Sequence, residues 1–136
     1  MEETRTIKVE DYNDYVDVET AKLLKEAGFD WIQHHYYNVE EGHDYVEHVG
    51  LSPSNWNDID GRLSAPTLAV AQKWLREHGN WIVSVCFDGT NYVLDVFQDY
   101  LCYLPYREYD NYEEALSAGI HACLEFFIEH RNDEDD

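Results

Sequence analysis

"NWIVSVCFDGTNYVLDVFQD", residues 80–99, decides the fold. With Gly89-Thr90 as a two-residue tip, Trp81, Val83, Val85 and Phe87 fall opposite Gln98, Val96, Leu94 and Tyr92. One face of a β-hairpin is then apolar across both strands, while Ser84 and Asp95 occupy a half-solvated opposite face. A hairpin with one apolar face must cover it, and the chain supplies helices on either side. In "APTLAVAQKWLREHG" (65–79), Leu68, Ala71 and Leu75 recur at helical spacing, widened by Val70 and Trp74. Pro66 suits a first turn, and Gly79 suits the end. After the hairpin, Asn111 and Glu114 form an approximate capping box for a last helix. Its expected inward stripe is Leu116, Ile120, Cys123 and Phe127.

Working outward, "YLCYLPY" (100–106) reads as a third meander strand, with Pro105 near its end. Toward the N-terminus, Asp17 can cap a helix over "VETAKLLKEAG" that groups Leu23, Leu24 and Ala27. Gly28 supplies its left-handed end, and Phe29 is placed to fold back on the last turn. Thr6 to Val9 reads as a short strand. Residues 31–49 alternate as a second hairpin joined at Glu40 to Gly42, and "GLSPSNWNDIDGRLSA" (50–65) reads as a loop built from Asx residues. The order is β-α-β-β-α-β-β-β-α. This is an α+β fold, a mainly antiparallel sheet of two hairpins plus a third meander strand, packed with three helices. At 136 residues the expectation is one domain over 1–130 and a frayed acidic tail over 131–136.

Nine basic against 29 acidic side chains give a net charge of −20. Such a surface repels phosphate, which disfavours direct contact with nucleic acid or an anionic membrane, and it attracts basic protein surfaces or divalent cations. The N-terminal residues Glu2, Glu3, Thr4 and Arg5 are unlike a secretory leader, and no apolar run approaches the ~20 residues of a membrane span. Cys86, Cys102 and Cys123 are odd in number and far apart. They read as reduced core residues, which suits a cytoplasmic location.

Along "DVETAKLLKEAGFD", "APTLAVAQKWLREHGNWIVSV" and "YEEALSAGIHACLE" the sequence resembles a group of small uncharacterised proteins from phages and other mobile elements of gut Bacteroides-type bacteria. The matching residues are Glu19 to Leu23, Ala65 to Thr67, Ala71 to Glu77 and Tyr112 to Leu116. The resemblance spans roughly two thirds of the chain and implies a bacterial or phage-infected host cell as the setting. It carries no activity and no catalytic residues. Helix caps and core faces account for the shared motifs by themselves.

"QHHYYNVEEGHDYVEH" (33–48) holds four of the seven histidines. A two-residue tip at Glu41-Gly42 pairs His35 with His48, and a three-residue tip brings His34 there instead. His35 and His48 are the candidate ligands for zinc or another divalent cation, but a site needs a third ligand that nothing local supplies. A polar, tyrosine-lined strand face is the plainer reading. Asp58-x-Asp60-Gly61 imitates the middle of a calcium loop, yet Trp56 and Thr67 stand where ligands belong. His78 and His130 suit helix C-termini, and His121 pairs with Glu125. No nucleophile elbow, activated cysteine or phosphate loop occurs in the sequence.

What remains is tyrosine mixed with carboxylate. "EDYNDYVDVE" sets Tyr12 and Tyr15 among Asp11, Asp14 and Asp17, and "YLPYREYDNYEE" sets Tyr109 and Tyr112 around Asp110. Rings supply contact area and acids supply steering toward a basic partner. The expected function is therefore that of a non-enzymatic, acidic accessory protein acting by protein–protein contact. A narrower version is a counter-defence factor whose carboxylates imitate a phosphate backbone and occupy the groove of a nucleic-acid-binding protein. The alternatives are a small metal-binding protein or enzyme using the 34–48 histidines, and a homo-oligomeric structural module.

Overall fold

The computed structural model describes residues 14–40, 47–48, 52–98, 101–102 and 107–130. Among the described residues, three α-helices and two antiparallel sheets form an α+β fold, with the helices and hairpins in the expected order. The expected strand over Thr6 to Val9 and the tail over 131–136 lie outside the described residues. The chain divides into two compact units, Met1–Thr67 and Leu68–Asp136.

In the first unit, helix α1 (Val18–Ala27) starts where Asp17 accepts the Thr20 amide at 2.8 Å. It ends at Gly28, whose φ of 100° is the left-handed conformation that glycine adopts without a Cβ penalty. The Phe29 amide then returns to the Leu24 carbonyl at 2.9 Å, and the Phe29 ring is buried, as expected. The inward face is Thr20, Ala21 and Leu24; Leu23 and Ala27 stay half-buried. Strands β1 (His35–Asn38), β2 (Glu47–His48) and β3 (Arg62–Ser64) form one sheet in the order β2-β1-β3.

Strand β3 falls where the sequence reads as loop, because its signal is not local. Leu63 is its only large apolar residue, and its ladder is provided by β1, through the pairs Tyr36–Ser64, Tyr37–Leu63 and Asn38–Arg62. The rest of that segment is held by Asx side chains. Asn57 donates to the Phe29 carbonyl at 2.9 Å and accepts the Ser64 amide at 2.9 Å. Trp56 donates its indole N–H to the Gln33 carbonyl at 2.8 Å. Tyr37 donates to the Val16 carbonyl at 2.8 Å, so this buried phenol reaches a partner.

In the second unit, β4 (Trp81–Phe87) and β5 (Tyr92–Gln98) pair in the expected register over all seven rungs, from Trp81–Gln98 to Phe87–Tyr92. Strands β6 (Leu101–Cys102) and β7 (Glu108–Tyr109) both pair with β5, at its two ends. The short β7 was not anticipated from the sequence, since two residues carry no periodicity. Helix α3 (Tyr112–His130) covers the face made by Trp81, Val83, Leu94 and Val96, all buried. Its Asn111 cap accepts the Glu114 amide at 2.7 Å and donates to the Glu114 carboxylate at 2.6 Å.

Helix α2 (Leu68–Gly79) packs against α3 and β4, burying Leu68, Ala71, Trp74 and Leu75. From it, Gln72 donates its side-chain amide to the Val83 carbonyl at 2.7 Å. It begins at Leu68 rather than at Pro66, because a bridge between Tyr15 and Thr67 holds that stretch extended, and the Pro66 carbonyl accepts the Val16 amide at 3.1 Å. At its other end the left-handed residue is Asn80, φ 58°, and not Gly79. Gly79 is needed for another reason: a Cβ there would lie 2.7 Å from the Trp81 ring. Cys86, expected in the core, is exposed, because strand alternation places it on the face of Ile82 and Ser84. Cys123 is buried in α3, and that burial pushes its thiol up to about 12. No helix among the described residues is long and apolar enough to cross a membrane.

Candidate functional site

The apolar face of the β4–β5 hairpin is buried at one end and open to solvent at the other. Trp81 and Val83 are buried, Val85 is half-buried, and Phe87, on the last rung, is 59% exposed. The covering helix begins at Tyr112, whose ring meets Tyr92 of that last rung. Directly paired residues share a sheet face, which sets Phe87, Tyr92 and Tyr109 in a row across β4, β5 and β7. The Phe87 and Tyr92 rings lie 5.0 Å apart at 46°, and Tyr112 meets Tyr92 edge-on at 6.2 Å. Tyr112 is 41% exposed, while Tyr92 and Tyr109 are half-buried. The result is an exposed aromatic cluster drawn from three strands and a helix start.

Carboxylates surround it in sequence: Asp88 follows Phe87, Glu108 and Asp110 flank Tyr109, and Glu113 and Glu114 follow Tyr112. Three are occupied within the fold. Asp88 accepts the Asn91 and Thr90 amides at 2.8 and 2.9 Å, and those bonds hold its carboxyl below the ordinary range. Glu108 accepts the Asn91 side-chain amide at 3.0 Å, and Glu114 closes the α3 cap. Asp110 and Glu113 stand outside those bonds. Arg107 is the single cation between residues 103 and 114.

Of the residues singled out in the sequence, Tyr109, Asp110 and Tyr112 belong to this cluster. Phe87 and Tyr92 complete it and were missed as site residues, although the hairpin register already set them opposite each other at the tip. The other group is used differently. Asp14 is exposed, Asp17 caps α1, and Asp11 and Tyr12 lie outside the described residues. Tyr15 is brought to His35, twenty residues away: its hydroxyl lies 3.2 Å from His35 Nε2, with ring centroids 4.8 Å apart.

That contact bears on the histidine pair. The backbone register of β1 and β2 sets His35 opposite His48, the two-residue-tip alternative. His35 Nε2 faces the Tyr15 hydroxyl, so a metal at that nitrogen would have to displace a phenol. Among the described residues, no three His, Cys, Asp or Glu side chains gather in a way that could hold a metal ion. The three histidines on α2 and α3 have local roles. His78 stacks on Trp74 with Nδ1 3.1 Å from the Trp74 carbonyl, His130 repeats this on Phe126 at 3.0 Å, and His121 lies 3.4 Å from Glu125. The Asp58–Asp60 segment is an Asx-built turn, opened by Asn55 accepting the Asn57 amide at 3.1 Å.

This arrangement offers planar apolar faces beside negative charge, a combination suited to recognition. Comparison with models of protein families, with curated proteins and with solved structures finds no match to the chain.

Proposed function

We propose that this is a non-enzymatic binding protein that engages a basic protein surface through the aromatic cluster at the tip of the β4–β5 hairpin. The single observation that carries the reading is the exposure of Phe87 and Tyr112 on either side of Tyr92, in a chain of net charge −20. Large rings left in water at the end of a covered sheet face cost solvation free energy that a partner can recover. The surrounding acids raise the rate of encounter with a basic surface and disfavour acidic ones. A narrower form of this proposal is that the partner is a nucleic-acid-binding protein whose basic groove accepts the carboxylates in place of phosphates, as a counter-defence factor would need. The magnitude of the net charge supports that form.

The test is affinity capture from host lysate with wild type and the Phe87→Ser/Tyr112→Ser variant in parallel, at about 0.1 M and about 1 M salt, where screening shortens from ~10 Å to ~3 Å. A partner retained by wild type at low salt, and lost both from the variant and at high salt, is the expected result. A partner held equally by both proteins would remove the cluster from the function.

A further inference from the structure

We infer that the cluster formed by Phe87, Tyr92, Tyr109 and Tyr112 is a receptor for an arginine side chain presented by an extended basic segment of the partner. The inference rests on the binding function proposed above and names its occupant. Four kinds of occupant come into question, and charge separates them. Nucleic acid and anionic lipid carry phosphate, which a chain at −20 repels. A second copy carries the same charge and is repelled as well. A cationic partner alone gains from both the rings and the acids.

The choice of arginine over lysine follows from shape. Rings from neighbouring strands stand 5.0 Å apart and inclined at 46°, with a third ring edge-on at 6.2 Å, so flat faces are offered in more than one direction. A guanidinium is planar, weakly hydrated and able to stack on such a face while its N–H groups reach a carboxylate; an ammonium is a compact, strongly hydrated point charge. Asp110 and Glu113, next in the chain to Tyr109 and Tyr112, stand outside the bonds that engage Asp88, Glu108 and Glu114, and are the carboxylates assigned to accept from it. The same chain packs an arginine this way internally: the Arg62 guanidinium lies 4.6 Å from the Tyr36 ring centroid and 5.8 Å from that of Trp56. The partner segment is extended because the rings form a row across β4, β5 and β7 rather than a closed pocket, so the arginine is delivered by a chain lying along an open surface.

The experiment is titration of the full chain with a short unstructured peptide of alternating arginine and glycine, and with its lysine counterpart of equal charge, followed by calorimetry at about 0.1 M salt. The arginine peptide is expected to bind roughly fivefold tighter than the lysine peptide. The Phe87→Ser/Tyr112→Ser variant should erase that preference, and Asp110→Asn/Glu113→Gln should weaken the arginine peptide more than a matched pair on α1, Glu19→Gln/Glu26→Gln. Both ring positions are exposed, and circular dichroism confirms that the variants remain folded. Equal binding of the two peptides, or a preference that survives the ring variant, overturns the inference. Loss of a captured partner from the ring variant together with equal peptide binding would overturn arginine as the occupant and leave the binding function standing. Retention of that partner would overturn the binding function itself.

Discussion

Gly119 of α3 approaches Val83 of β4 so closely that a Cβ built on it would lie 2.6 Å from Val83 Cγ1, and 2.7 Å from Leu94 Cδ1. Glycine in a helix interior is ordinarily a loss of about 1 kcal/mol against alanine. Here it lets the helix lie directly on the sheet.

Gly119→Ala is therefore expected to destabilise the second unit in spite of its gain in helix propensity, by a net amount on the order of 1–3 kcal/mol in urea unfolding. Adding Val83→Ala should recover part of that loss, since it removes the nearest atom. A stabilising Gly119→Ala would contradict the close packing of α3 on β4.

The Tyr15–His35 contact is open to a double-mutant cycle. Tyr15→Phe keeps the ring and removes the hydroxyl, and is expected to lower stability by about 0.5–1.5 kcal/mol. With His35→Gln in the background the same change should cost less, and the difference is their coupling. Additive losses would show that the 3.2 Å contact contributes nothing.

Asp17→Ala removes the acceptor for the Thr20 amide and should lower stability by about 1 kcal/mol, with Asp17→Asn close to neutral. An equal loss in both variants would assign the effect to charge rather than to capping. This distinguishes a helix cap from a partner contact for a residue that the sequence offers for either role.

Cys86 and Cys123 should differ in reactivity. Cys86 is exposed and should react with a thiol reagent in the native protein, whereas Cys123 should react only on unfolding. Burial raises the Cys123 thiol from its ordinary value of 9.0 to about 12. Between those values the native chain keeps a proton that the unfolded chain releases. Its contribution to stability is therefore intact below about pH 9 and declines as pH rises toward 12. Measured against Cys123→Ala, the difference in unfolding free energy should fall by up to about 1.4 kcal/mol per pH unit above pH 9. A difference that is flat with pH would show the thiol to be solvated.

The hairpin register was legible because a two-residue tip fixes every rung once Gly89 is placed, and Asp17 and Gly28 announced the ends of α1 by side-chain chemistry confined to one turn. Features made by distant residues were not legible. Strand β3 exists because β1 offers it a ladder, and Tyr15 meets His35 across a twenty-residue gap. Phe87 is exposed although it shares a face with the buried Trp81 and Val83, a difference that apolar periodicity does not encode. The tyrosines and acids near residue 110 could be seen as a group, but not the two rings that turn the group into a surface.

The Gln72 amide on the Val83 carbonyl has a bearing on self-association. Among the described strands β4 pairs with β5 alone, so its outer edge is a seven-residue template for another strand. The amide holds the third residue of that edge, and an incoming strand must displace it before it can zip along the template. Charge repulsion between copies vanishes at high ionic strength, but a buttoned carbonyl does not. Concentrated brine thus strips away one guard against filament growth and leaves the other fastened.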